Sequence, residues 1–110
     1  MRNKEVEGYI SALTVVIIYF LGARTLSEAE SREVTKRAIR GFNIVSMSED
    51  VIKKALGENR IKDLEDAIQF HSAKEVADVL ITRNKRDFRA VEDEEIEVLT
   101  PEEFLEKYKA

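Results

Sequence analysis

The segment ENRIKDLEDAIQFHSAKEVADVLITR, residues 58–83, decides the fold class because two structural periodicities meet in it. Its first part carries apolar residues at helical spacing, namely Ile61, Leu64, Ile68, Ala73 and Val76. That spacing predicts a helix with one apolar face, extending to Ala77. DVLITR, residues 78–83, has the continuous apolar character of a strand in a parallel sheet. A helix that leads directly into such a strand is typical of α/β proteins.

The flanking sequence repeats this alternation of helix and strand. Two capping boxes, Ser27 with Glu30 and Thr100 with Glu103, mark helix starts. The predicted elements are an extended piece at 7–11, helices at 27–41, 48–57 and 101–109, and strands at 42–47 and 95–99. Strands that alternate with helices predict a three-layer α/β sandwich with a mainly parallel sheet.

SALTVVIIYFLGAR, residues 11–24, is the most apolar part of the chain and has no charged side chain from Ala12 to Ala23. It is shorter than the roughly 20 residues of a membrane span. A signal peptide is also not indicated, because the preceding MRNKEVEG mixes Glu5 and Glu7 with its bases and no small-residue cleavage site follows. Periodicity leaves both a buried helix and a buried strand open, and in either case we expect the stretch to belong to the core.

The composition is that of a single globular domain, which we expect to span residues 1–110. Hydrophobic residues make up 44% and charged residues 36%, and there is no cysteine, so disulfides and thiolate metal sites are excluded. The net charge of −4 argues against a protein that coats nucleic acid by bulk electrostatics. Abundant Glu, Lys and Arg point toward a thermophilic source.

Acidic and amide side chains stand where predicted strands end and helices begin. Asp63 and Asp66 lie near the start of a helix and share a face, whereas Asn84 and Asp87 follow a strand. If that strand and helix are neighbours, these groups converge, and the repulsion between carboxylates calls for a cation such as Mg²⁺ or Mn²⁺. Acids near a helix start are equally explained as partners of the helix dipole, so spacing alone leaves both interpretations open.

Two further features have a plain structural explanation when taken alone. TRNKRDFR, residues 82–89, carries four basic residues and one acid, and such a run is ordinarily a solvated loop. His71, the only histidine, lies five residues after Asp66 and is therefore rotated off its face. We expect His71 to have a structural or surface role.

Taken together and in order, several segments resemble the PIN-domain family, which includes the VapC-type toxin ribonucleases. They are DLEDAIQFHSA (63–73), TRNKRDF (82–88), VLTPEEFL (98–105) and GYISALT (8–14). The resemblance covers nearly the whole chain. It implies a PIN-like α/β fold and a metal-dependent endoribonuclease.

The resemblance assigns roles to individual acids. Asp66, Asn84 and Asp87 match the catalytic positions, and Asp63 is the companion acid. Asp63, Asp66 and Asp87 would bind Mg²⁺ or Mn²⁺.

The resemblance also implies the partners. Arg83, Lys85 and Arg86 would flank the site and hold the phosphates of single-stranded or structured RNA. The resemblance further implies that an antitoxin protein is a partner. We also expect a cytoplasmic protein that does not associate with a membrane.

Two departures from the family pattern bear on activity. Relatives begin with a central strand bearing Asp and Asn, which we expect this chain to lack, so that the domain is truncated at its N-terminus. Ile17 stands where relatives commonly have a carboxylate. We therefore expect an impaired or inactive enzyme. Strands left unpaired in the sheet invite association, so we also expect a homo-oligomer.

Three hypotheses remain from the sequence. The first is a PIN-type ribonuclease whose activity belongs to a longer polypeptide. The second is a catalytically dead PIN-like module for binding or oligomerisation. The third is an unrelated small α/β domain, such as a receiver-like fold, although the chain lacks a strand-end Asp-Asp pair near its start.

Overall fold

The computed structural model describes residues 6–91 and 96–108 and shows a mixed α/β protein. Its elements are β1 (Tyr9–Ser11), α1 (Ala12–Gly22), α2 (Glu28–Ala38), β2 (Asn43–Val45), α3 (Glu49–Leu56), α4 (Leu64–Val76), β3 (Val79–Ile81), a 3₁₀ helix (Lys85–Val91), β4 (Glu97–Leu99) and α5 (Pro101–Tyr108). The α/β class is confirmed. The chain divides into two compact units, Met1–Met47 and Ser48–Ala110.

Each unit contains one pair of parallel strands. In the first unit β1 pairs with β2, with Ile10 opposite Ile44. In the second unit β3 pairs with β4, with Leu80 opposite Val98. The parallel direction is as predicted, and the described strands form two sheets of two strands each.

The apolar stretch of the first unit is a helix, which settles the choice that periodicity left open. Ser11 is the last residue of β1 and the N-cap of α1, and its Oγ accepts a hydrogen bond from the backbone N–H of Thr14 at 3.1 Å. A cap at this position turns the chain from strand to helix within one residue.

The prediction that this stretch belongs to the buried core was wrong. No residue of α1 is buried, and Val16, Phe20 and Leu21 are 48%, 63% and 53% exposed. Within its unit, α1 packs chiefly on α2, whose only buried residues are Ser31 and Thr35. One partner helix covers only part of a helix that is apolar on every side.

Gly22 allows the close approach of α1 and α2. Ser31 is fully buried, and its Oγ donates a hydrogen bond to the carbonyl oxygen of Tyr19 at 2.7 Å. A Cβ atom at Gly22 would lie 2.5 Å from that Oγ. The absence of a side chain at Gly22 therefore protects the contact between the helices.

We expect Gly22→Ala to lower the free energy of unfolding by about 1–3 kcal/mol, because the methyl group displaces Ser31 from its hydrogen bond. Urea denaturation of the unaltered chain and of Gly22→Ala measures the difference in the free energy of unfolding. Gly57→Ala is the matched control, since a Cβ there would make only ordinary contact, 3.5 Å from the carbonyl oxygen of Lys53. Equal losses from the two substitutions would contradict the prediction.

Among the described residues, all of the buried apolar side chains lie in the second unit. They are Val51, Ala55, Ile61, Ala67, Ile68, Phe70, Phe88, Val91, Ile96, Val98 and Leu99. The apolar face predicted for α4 is only partly correct, because Leu64 and Val76 are 49% and 45% exposed. Phe70, which is fully buried, belongs to the face that α4 buries.

The predicted helix at 58–77 is shorter than expected. It begins at Leu64, because Asp63 has extended backbone geometry and serves as the N-cap. Residues 58–63 are therefore a connection between α3 and α4.

The other helix signals are confirmed. Ser27 with Glu30 and Thr100 with Glu103 each form the reciprocal hydrogen bonds of a capping box. The predicted ends at Glu95 and Lys109 lie outside the described residues. Among the helices that the structure describes, none has the length and apolar character needed to cross a membrane.

Candidate active site

The start of α4 places two of the predicted acids side by side. Asp63 is exposed, and its Oδ1 accepts a hydrogen bond from the backbone N–H of Asp66 at 2.9 Å. This bond satisfies one of the free N–H groups of the first helical turn. Asp63 therefore acts as a cap, while the carboxylate of Asp66 lies partly buried beside it.

The environment of Asp66 disfavours the ionised form of its carboxyl group. Burial raises its pKa, and the negative charges of Asp63, Asp87 and Glu65 raise the pKa further. Asp87 belongs to the segment that follows β3, so the fold brings it within electrostatic range of the start of α4. Perturbed carboxyl groups of this kind are common at functional sites.

A short, hydrogen-bonded turn carries Asn84 and Asp87. The backbone N–H of Asn84 donates to Oγ1 of Thr82 at 3.0 Å, and that of Asp87 donates to the carbonyl oxygen of Asn84 at 2.9 Å. The predicted loop thus continues as a 3₁₀ helix, which buries Phe88. Asn84 and Asp87 themselves are exposed.

Two of the three predicted phosphate-binding residues, Arg83 and Lys85, already have acidic partners. Arg83 Nη1 lies 3.1 Å from Oε2 of Glu102, and Lys85 Nζ lies 3.1 Å from Oε1 of Glu103. Both glutamates are in the first turn of α5. Arg86 is exposed. The turn after β3 is therefore joined to α5 by two solvent-accessible ion pairs.

Sequence reasoning missed two contributors to the electrostatics of the site. Glu65 lies next to Asp66 and adds to the repulsion that raises its pKa; the motif DLED already contained it. Glu102 was missed as a partner of Arg83, and no local pattern links residues so far apart in the chain.

The geometry sets a limit on how a metal ion could be held. Within residues 6–91 and 96–108, no three His, Asp or Glu side chains form a group that could hold a metal ion. A divalent ion held by the carboxylates of Asp66 and Asp87 alone would keep most of its water ligands, and its binding by these two acids stays a prediction. Binding by Asp63 as well stays a prediction.

Comparison with known proteins shows a distant similarity to a ribonuclease. The chain is 28% identical over 98 residues to Ribonuclease VapC1 of Aquifex aeolicus (strain VF5), and the alignment covers 86% of this chain and 65% of that protein. The chain thus spans less than two thirds of that relative's length. No protein-family model matches the chain, and no solved structure matches it significantly. The similarity relates the chain distantly to a VapC-type ribonuclease.

Proposed function

We propose that this chain is a PIN-type domain that cleaves RNA as a Mg²⁺- or Mn²⁺-dependent endoribonuclease, with Asp66 and Asp87 at the reacting centre. The observation that carries the proposal is that Asp87, from the segment after β3, lies close enough to Asp66 on α4 for its negative charge to act on it. That charge adds to burial and to the charge of Asp63, which together raise the pKa of Asp66. The similarity to a ribonuclease along most of the chain supports the same activity.

The proposed chemistry follows from the acids and their neighbours. A divalent ion would supply an activated water and would neutralise charge on the phosphoryl group. Asp66 and Asp87 would hold that ion, with Asn84 orienting a water or a phosphate oxygen. Bringing a cation to the site would also favour the ionised form of Asp66, since an opposite charge stabilises a carboxylate.

We propose that cleavage by this chain is slow. Ile17 is in the position where the family pattern has a carboxylate, and its side chain cannot take a proton or hold a cation. A site with fewer carboxylates than the family pattern would bind the ion more weakly and neutralise less charge.

The experiment is a cleavage assay on single-stranded RNA with and without Mn²⁺. Mn²⁺-dependent cleavage, even if slow, supports the ribonuclease. Complete inactivity at millimolar Mn²⁺ would leave the binding-module hypothesis.

The basic residues near the site are proposed to contact RNA phosphates. These residues, Arg83, Lys85 and Arg86, are not among those proposed to hold the ion. They lie in the same segment of the chain as Asp87. The ion pairs of Arg83 and Lys85 are solvent-accessible, and such pairs contribute at most about 1 kcal/mol. A phosphate can therefore displace the glutamates.

This competition predicts the effect of Glu102→Gln on RNA binding. Freeing Arg83 should raise the affinity for a short single-stranded RNA by about two- to fivefold, the equivalent of one exposed ion pair. Fluorescence anisotropy at fixed ionic strength measures it. Glu49→Gln, which removes an exposed ion pair with Lys53 on α3, is the control. Equal effects of both substitutions would show that only net charge matters.

The second candidate function is a binding or oligomerisation module, and the exposed apolar surface of the first unit favours it. Phe20 and Leu21 on α1 and Ile44 on β2 are each more than half exposed. We propose that a second copy of the chain covers these residues, with an antitoxin protein as the alternative partner. Exposed apolar patches on soluble proteins commonly mark interaction sites.

Light scattering at micromolar concentration tests the oligomer. We expect a mass of at least twice that of the chain, and Phe20→Glu should reduce it to the monomer because the new charge opposes burial. A monomeric mass for the unaltered chain would refute self-association.

A further inference from the structure

Glu58, in the connection between α3 and α4, is the most heavily hydrogen-bonded acid that the structure describes. Its carboxylate accepts hydrogen bonds from Nε and Nη2 of Arg60 at 2.7 and 2.9 Å and from the backbone N–H of Arg60 at 3.0 Å. The side chain is only 5% exposed. These bonds hold the pKa of Glu58 at about 2, so the carboxylate is ionised at neutral pH.

The same carboxylate reaches across to α4. Its Oε1 lies 3.0 Å from Nε2 of His71, whose side chain is 11% exposed. Because an ionised carboxylate can only accept, Nε2 of His71 carries the hydrogen of this bond. The imidazole ring also packs edge-on against Phe70, with 5.0 Å between ring centroids. Phe70 is fully buried, so the ring of His71 is held against the core.

These contacts hold the connection that leads from α3 into α4 at several points. Glu58 is tied to His71 in the middle of the helix, Ile61 is buried, and Asp63 caps the helix start. The path of the chain from Glu58 to Asp63 is therefore fixed at both ends and in the middle.

We propose that Glu58, Arg60 and His71 form a clamp that positions Asp63 and Asp66 for ion binding. Glu58 and His71 are positioning residues, since they act through the start of α4 and do not contact the reacting groups. The inference rests on the proposed function for its effect on metal, but its effect on the start of α4 is independent of any activity. Groups that orient ligands from outside the site commonly change metal affinity by about 10–100-fold.

The test compares the full chain with Glu58→Gln, His71→Gln and the double variant. Glu33→Gln is the matched control, because Glu33 is exposed and pairs only loosely with Lys36, at 3.6 Å, in the other unit. Calorimetric titration with Mn²⁺ and amide hydrogen exchange at residues 64–67 are measured for each chain. Circular dichroism identifies the variants that are folded.

We expect each clamp substitution to weaken Mn²⁺ binding about tenfold and to speed amide exchange at 64–67. The double variant should be no worse than Glu58→Gln alone, because Glu58→Gln already weakens the contact with His71. His71→Gln leaves the Arg60 bonds intact and serves if Glu58→Gln does not fold. Folded variants with unchanged Mn²⁺ affinity and unchanged exchange would overturn the clamp. If the unaltered chain binds no Mn²⁺, the proposed function fails, and the exchange rates alone decide the inference.

Discussion

Asp66→Asn is expected to lower the rate of Mn²⁺-dependent RNA cleavage by about 100-fold or more without destabilising the fold. Asparagine matches aspartate in shape but has no charge to hold a cation. The fold gains from the change, because burial and the charges of Asp63, Asp87 and Glu65 all disfavour the ionised form of Asp66. Removing that charge relieves the repulsion, so the free energy of unfolding at pH 7 should be unchanged or higher.

The opposite directions of the two effects make this prediction discriminating. Loss of activity through unfolding would lower stability and activity together, whereas loss of a metal-binding group at a strained site does not. The measurements are initial rates of RNA cleavage with Mn²⁺ and urea midpoints at pH 7.

Asp50→Asn is the control for this experiment. Asp50 lies in the first turn of α3, is exposed, and pairs with Lys54 at 3.0 Å. The same chemical change there should leave cleavage unchanged and lower stability slightly. If both substitutions lowered the cleavage rate equally, the proposed place of Asp66 at the reacting centre would be contradicted.

Local signals in the sequence predicted the helices well. Serine, threonine and aspartate caps act on backbone groups within three residues, so the starts of α2, α3 and α5 follow from the sequence alone. The charge of Asp87 acts on Asp66, which agrees with the predicted edge of the sheet, because α/β proteins place the end of a parallel strand near the start of a neighbouring helix. The roles of the two acids stay predictions.

Features that depend on distant partners were not predictable. An apolar helix such as α1 shows that its side chains favour burial, but not how many elements are available to cover it. Arg83 and Lys85 appear in the sequence as free bases, and only the fold shows α5 beside them. The contact of Glu58 with His71 was hidden because both residues fell inside one predicted helix, where their spacing would have separated them.

Acid unfolding provides the second large effect, because Glu58 has a pKa of about 2 in the folded chain against an ordinary value of 4.5. Above pH 4.5 the carboxylate is ionised in both the folded and unfolded chains, and its full stabilisation is present. As pH falls from 4.5 toward 2, only the unfolded chain takes up the proton, so that stabilisation is progressively lost.

Glu58→Gln should therefore lower the free energy of unfolding at pH 7 by about 2–3 kcal/mol and flatten its decline between pH 5 and pH 2. The other acids titrate alike in both chains, so their contributions cancel in the difference between the two urea curves measured at each pH. Glu33→Gln, an exposed acid with a loose partner, should leave the pH dependence unchanged. A constant gap between Glu58→Gln and the unaltered chain from pH 7 to pH 2 would show that packing around Glu58, rather than its charge, stabilises the connection between α3 and α4.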